Sequence, residues 1–317
     1  MAKNETLLKK PHLALIVPAY NESKGLIGFN EAVSDIMKNL SCTYKIVFID
    51  DGSVDDTWET ALTLSKQDRF VSAISFSRNF GKEYAILAGL NETEADYYLV
   101  MDADMQHPPT VIPHLWERML KGDVDVVEGV KTDRGRESAL YRACSNLFYR
   151  VLYILTKQNL KNSSDFKLFT QNFRNAILSL DDGAFFFRGA CQWVGFPKAT
   201  VDFIVAERLE GESKFSIKAL LRLMNNAILS NTKTLLRLSI FIGIIFGLFS
   251  ITLGLNAVYN KVTEQATSGF TTVILFLSIQ ACFTFLSLGI IGEYLARIYY
   301  EVKKYPSYII GRQTNDQ

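Results

Sequence analysis

Short runs of β-branched and aromatic residues alternate along the first part of the chain with longer stretches whose apolar positions recur at helical spacing. The runs Leu13–Val17, Lys45–Ile49, Val71–Phe76, Tyr97–Met101 and Val124–Glu128 predict strands, and residues 24–40, 55–67, 82–92 and 110–121 predict the helices between them. That alternation predicts an α/β domain built on a mostly parallel sheet.

The pattern changes near the C-terminal third. No charged residue occurs from Leu238 to Asn260, nor from Gln265 to Gly292. At about 1.5 Å per residue either window covers a hydrocarbon core of roughly 30 Å, so two membrane spans are expected, about 236–260 and 268–292. Just upstream, Ile217, Leu220, Leu221, Met224 and Ile228 recur at helical spacing with Lys218 and Arg222 among them, which suits a helix lying in the headgroup region or one packed on its own domain. The expected organisation is a domain over 1–215, an amphipathic juxtamembrane helix over 216–234, a two-helix hairpin over 235–298 and a tail over 299–317. Lys214, Lys218, Arg222, Lys233 and Arg237 precede the hairpin, and Arg297, Lys303, Lys304 and Arg312 follow it. The positive-inside rule therefore places both flanks in the cytoplasm. The apolar run Leu13–Val17 is too short for a signal peptide and stops at Pro18.

Composition narrows the classes. A hydrophobic fraction of 48% against 21% charged residues excludes a wholly disordered chain. Lys+Arg 34 against Asp+Glu 33 leaves a net charge of +1, which argues against a nucleic-acid binder with a global basic field. Cys42, Cys144, Cys191 and Cys282 are widely spaced and only three His accompany them, so neither a zinc site nor a disulfide framework is expected.

The polar residues of interest follow the predicted strands: Pro18-Ala19-Tyr20-Asn21-Glu22, Asp50-Asp51-Gly52-Ser53 and Asp102-Ala103-Asp104. Ligands bind at the carboxyl ends of such strands, so three loops present carboxylates on one edge. Neither GxGxxG nor a P-loop is present. Asp102, Asp104 and Gln106 form an oxygen-ligand cluster suited to Mg²⁺ or Mn²⁺ with phosphate oxygens completing the shell, although Asp before Pro108-Pro109 is also good turn chemistry. One of Asp50 and Asp51 suits a ribose hydroxyl or a base edge, Asp55 or Asp56 a helix cap, and Tyr20 with Glu22 the packing of a base.

Together with Arg78-Asn79-Phe80-Gly81-Lys82-Glu83 and Asp102-Ala103-Asp104-Met105-Gln106-His107-Pro108, these segments resemble the family 2 glycosyltransferases of GT-A fold. More narrowly, the chain is similar to the polyprenyl-phosphate branch, which includes dolichol-phosphate mannose synthase and the bactoprenol glucosyltransferases. Arg208-Leu209-Glu210-Gly211-Glu212-Ser213-Lys214-Phe215, the paired spans and the closing Gly292-Glu293-Tyr294 segment carry that narrower likeness. One departure stands out: Ser164-Asp165-Phe166-Lys167 replaces the branch's Gly-Asp-Phe-Arg, exchanging a bidentate fork for a point charge.

The resemblance implies inverting transfer of a sugar from a UDP-sugar to polyprenyl (undecaprenyl) phosphate at the cytoplasmic membrane, with the catalytic domain facing the cytoplasm. Glucose is favoured; an N-acetylhexosamine or mannose is the alternative. It implies Mg²⁺ or Mn²⁺ on Asp102, Asp104 and Gln106, and donor contacts from Pro18, Ala19, Tyr20, Glu22, Asp50, Asp51, Lys82, Asp102, Arg134 and Ser213. Catalytic roles fall to Asp104, Asp165, Arg208 and Lys214, with Asp165 as base or orienting residue; Arg208 and Lys214 also suit anchoring at the membrane surface. The implied partners are the donor, the lipid phosphate, the bilayer and further copies of the chain, as in tetramers of the branch, with the tail 305–312 placed to reach a neighbour. Two rivals remain: a processive polysaccharide synthase, whose QxxRW is missing, and a nucleotide-sugar-binding scaffold without catalysis.

Overall fold

The computed structural model describes residues 11–133, 164–180, 185–204, 234–263, 269–303 and 305–314. Eight strands form one sheet: β1 (His12–Ala19), β2 (Thr43–Asp50), β3 (Val71–Phe76), β4 (Tyr97–Val100), β5 (Val126–Asp133), β6 (Lys167–Thr170), β7 (Lys198–Ile204) and β8 (Ile310–Gln313). Their spatial order is β7-β5-β6-β4-β1-β2-β3-β8. The pairs β1–β2, β1–β4, β2–β3 and β5–β7 are parallel, whereas β6 runs antiparallel to β4 and β5, and β8 antiparallel to β3. The mostly parallel α/β sheet expected from the sequence is thus present.

Helices α1 (Leu26–Met37), α2 (Thr57–Gln67), α3 (Lys82–Glu92), α4 (Ile112–Met119), α5 (Gln171–Leu178) and α6 (Phe187–Trp193) cover it. Alternate residues of β1 feed two cores. Leu13, Leu15 and Val17 pack with Phe29 of α1, Phe48 and Trp116 of α4, while Ala14 and Ile16 pack with Ile86 of α3, Phe173 of α5 and Phe187 of α6. Burial on both faces explains why the strand reads as one continuous apolar run. On the second face α3 lies so close that a Cβ on Gly89 would sit 2.4 Å from Ile16 Cγ2.

The sequence ended β1 before Pro18, yet the strand continues to Ala19. The amide of Met101 donates to the Ile16 carbonyl and that of Asp51 to the Ala19 carbonyl. The backbone of Pro18 therefore faces the β4 side, where pairing has already ended at Ile16–Val100, and no ladder bond is lost.

Two further helices, α7 (Thr234–Val262) and α8 (Phe270–Val302), are each long and apolar enough to cross a membrane over Phe241–Asn260 and Ile279–Ala296. Phe246 packs on Phe276 and Phe283, with ring centroids 6.4 and 4.8 Å apart, joining the two helices. Among the described residues, α7 and α8 form one compact unit and the sheet with its helices another, to which residues after Pro306 return. The stretch read as a tail has more structure than expected: α8 extends through residue 302, and Ile310–Gln313 forms edge strand β8 on β3. Tyr308 stacks on Phe76 at 5.3 Å, Arg312 lies over Trp58, and the Ser77 amide donates to the Ile309 carbonyl. The juxtamembrane stretch 216–233 lies outside the described residues.

Candidate active site

After β1 the chain reverses through Asn21, whose φ of 55° is left-handed. Asn adopts that conformation at modest cost because its short side chain bonds locally. Here the Asn21 amide donates to Ser53 Oγ at 2.9 Å, and Asn21 Oδ1 accepts from the Val54 amide at 3.0 Å. The Glu22 amide donates to Thr57 Oγ1 at 2.9 Å. The first two polar loops are thereby tied together and Tyr20 is left exposed, while Pro18 and Ala19 are buried in β1. Asp55, rather than Asp56, caps the start of α2, accepting from the Thr57 amide at 3.1 Å.

Asp50 and Asp51, expected as nucleotide ligands, are both buried and hold loops. Asp50 accepts from the Ser53 amide at 3.0 Å and from Ser75 Oγ at 2.7 Å. Asp51 accepts from the amides of Phe80 at 2.7 Å and Gly81 at 2.9 Å. Burial raises the Asp51 pKa, and these two amides work against the rise. Gly52 completes the clamp: its φ is +64°, and a Cβ there would lie 2.3 Å from the Arg78 carbonyl carbon. The β2 turn is thus fastened to residues 77–81, and that attachment sets where α3 begins with Lys82.

Beyond β4, Met105 is left-handed at φ 60° and folds Gln106 back on Asp104. Asp104 accepts from the Gln106 amide at 3.1 Å and from its Nε2 at 2.6 Å. His107, absent from the expected site, is buried against Phe166, with ring centroids 4.9 Å apart, and its Nδ1 accepts from the Asp102 amide at 3.4 Å. The turn brings Gln106 onto Asp104, while Asp102, two residues before it, faces Lys82. Among the described residues no group of three or more His, Cys, Asp or Glu side chains forms a cation cage. Two carboxylates and an amide are instead the donor set of a hard cation that shares its shell with phosphate and water.

Asp165 lies across from this turn in the segment leading into β6, with 4% of its side chain exposed. Lys82 Nζ reaches its Oδ2 at 2.7 Å and also lies 2.6 Å from Asp102 Oδ1. Arg188 of α6 grips the same carboxylate with a fork, Nε to Oδ1 at 2.6 Å and Nη2 to Oδ2 at 2.8 Å. Burial alone would raise the Asp165 pKa, but Lys82 and Arg188 hold it well below the usual carboxylate range. Likewise burial would lower Lys82, and Asp102 and Asp165 carry it upward instead. Beside them Glu83 accepts from the Phe187 amide at 2.7 Å, and burial together with the Asp165 charge pushes it up to about 7.

Lys167 resolves the departure noted in the sequence. It is buried and ion-paired with Glu128, whose carboxylate also accepts from the Ser164 amide. Its ammonium braces β5 against β6 in place of a clamp on substrate. Arg134, Arg208, Ser213 and Lys214 lie outside the described residues. Arg188 was not anticipated, since nothing in Phe186-Phe187-Arg188-Gly189 marks it and only the tertiary approach of α6 to α3 does.

A sequence model of glycosyl transferase family 2 matches residues 14–185. The CsbB protein of Bacillus subtilis (strain 168) is 36% identical over 96% of this chain and 92% of its own length. A prophage-derived bactoprenol glucosyl transferase of Shigella flexneri is 33% identical over 95% of this chain and 97% of its own. Among solved structures, glucosyl-3-phosphoglycerate synthase from Mycobacterium tuberculosis, in complex with Mn²⁺ and UDP-glucose, superposes with a TM-score of 0.52 at 18% identity over 70% of this chain and 79% of that one. That likeness bears on the GT-A fold alone. With carboxylates gathered at the strand ends, a family match over more than half its length and relatives similar from end to end, the chain belongs to glycosyl transferase family 2.

Proposed function

We propose that the protein transfers glucose from UDP-glucose to a polyprenyl phosphate at the membrane surface, with inversion at the anomeric carbon. The observation that carries this reading is one chain holding both the Asp102-Asp104-Gln106 turn, opposed by Lys82 and Arg188, and two membrane-length helices. Similarity to the bactoprenol glucosyl transferase extends over 95% of the chain and so includes those helices, which supports a lipid-linked acceptor and disfavours both a soluble acceptor and a scaffold role.

Asp102, Asp104 and Gln106 would hold Mg²⁺ or Mn²⁺, which when bound supplies positive charge at the donor diphosphate as the sugar bond breaks. The chain does the rest. The exposed ring of Tyr20 beside the β1 and β2 loops offers a surface for the base. Lys82 stands between the acidic turn and Asp165, where it can follow negative charge moving onto the leaving nucleotide. An acceptor phosphate is ionised near neutral pH and requires positioning more than deprotonation. Asp165, already neutralised by two cations, suits an orienting part and not that of a base. Arg134, Arg208, Ser213 and Lys214 would add donors to phosphate oxygens. The basic flanks before and after α7 and α8 support a cytoplasmic catalytic domain.

The test is a donor screen with purified protein, undecaprenyl phosphate and Mg²⁺ or Mn²⁺. Label from UDP-glucose should enter the lipid extract as a single sugar; label from another nucleotide sugar alone would replace glucose, long polymer would indicate a synthase, and no incorporation would contradict the assignment.

A further inference from the structure

The arrangement around Asp165 has a vertical order. The carboxylate is 4% exposed, whereas the side chains of Lys82 and Arg188 that grip it are 40% and 34% exposed. The anion is at the bottom and the two cations cover it. Both donate to the same oxygen, Oδ2, so the ammonium and the guanidinium stand close enough to engage one tetrahedral oxyanion together. The parts are also held from behind. Asp51 fastens the residues preceding Lys82, and Glu83, next to Lys82, accepts the amide of Phe187, next to Arg188. Two sequence-distant cations are thus fixed at one spacing by a buried anchor and two side supports, which is the preorganisation that a multiply charged oxyanion exploits.

We infer that Lys82 and Arg188, anchored on Asp165, form a binding seat for a phosphate oxyanion, with Arg188 a substrate-contacting residue and Asp165 a positioning residue. Building on the glucosyl-transfer reading, the ligand is either the phosphate monoester of the lipid acceptor or the diphosphate of the donor. The seat carries a consequence that simple charge counting reverses. Removing a negative charge from an anion site should tighten binding, but Asp165→Asn releases both cations from their shared oxygen and should weaken it.

Full-length protein in detergent micelles with Mn²⁺ is titrated calorimetrically with farnesyl phosphate and, separately, with UDP. Arg188→Gln should weaken one probe by about tenfold or more, the loss expected when a charge-assisted hydrogen bond to phosphate is removed, and leave the other within about twofold. Selective loss of farnesyl phosphate assigns the seat to the acceptor; selective loss of UDP assigns it to the donor. Lys82→Gln should show the same selectivity, and because that side chain is partly exposed the variant serves if Arg188→Gln fails to fold. Arg188→Lys, which keeps the charge and loses the fork, should recover part of the affinity. Unchanged affinity for both probes in Arg188→Gln and Lys82→Gln, or tighter binding in Asp165→Asn, would overturn the seat. Wild-type protein that binds both probes but transfers no sugar would instead contradict the proposed function and leave the seat standing.

Discussion

Asp104 and Asp165 are both carboxylates at the sheet's carboxyl edge, and their surroundings assign them opposite work. Among the described residues, Asp104 accepts hydrogen bonds from the amide and side chain of Gln106 within its own turn, and no ion pair holds it there. Asp165 lies beneath Lys82 and Arg188, and its charge is already spent. A carboxylate in the first setting has capacity for a cation; one in the second has lost the proton affinity a base requires. The position of the nearest cations decides this, not the residue type.

Substitutions at the two sites should therefore fail differently. Asp104→Asn should lower transfer by on the order of 10²–10³-fold, with an unchanged melting temperature, because only electrostatic stabilisation of the departing nucleotide is lost. Near-normal turnover would erase the contrast. Asp165→Asn should cost about a tenth of that in rate but about 1–3 kcal/mol in stability, discounted because its cationic partners are a third or more exposed to water. The pH–rate profile of this variant should keep the wild-type shape, and disappearance of an acidic limb would restore Asp165 as a base. Gly52→Ala should destabilise by about 2 kcal/mol or more, since a Cβ meets the Arg78 backbone and φ is positive, and should displace Lys82 along with its loop.

Acidity sharpens the same comparison. The folded Asp165 value lies below the ordinary 3.8, so its contribution is present above that pH and is lost as pH falls toward the folded value. Glu83 has the opposite sign. Its value rises from 4.5 to about 7, so the folded state retains a proton that the unfolded chain has released, and this group's contribution declines as pH climbs from 4.5 through 7. Glu83→Gln should flatten that decline in a series of urea melts. The smallest effect belongs to Arg312→Ala: its ion pair with Glu59 is mostly exposed, and its loss should change stability by no more than about 1 kcal/mol.

Much of this was legible in the chain itself. The five strands expected from β-branched runs are β1 to β5, with ends shifted by up to five residues at β5; the first uncharged window lies within α7, and the second overlaps α8 from Phe270 onward. The contact of Gln106 with Asp104 is local in sequence and needs no distant segment to form. What stayed hidden depends on contacts between distant segments. Strand β6 has four residues, including a lysine that an interior strand accepts only because Glu128 lies across from it. Strand β8 follows two membrane-length helices, and only the free edge of β3 explains its place. That Asp50 and Asp51 also hold loops stayed hidden because sequence does not show that the amides of residues 53, 80 and 81 converge on them. Arg188 is separated from Lys82 by more than a hundred positions and from Asp165 by 23, so no motif could join them.

The central claim is that the acidic turn after β4 and the cations facing it move glucose onto a membrane lipid phosphate with the help of a divalent ion. Transfer of labelled glucose from UDP-glucose into undecaprenyl phosphate, measured with Mn²⁺ or Mg²⁺ and again with excess chelator, tests it most directly. The account predicts a labelled lipid monosaccharide that disappears with chelator and in Asp104→Asn; undiminished transfer under either condition would contradict it.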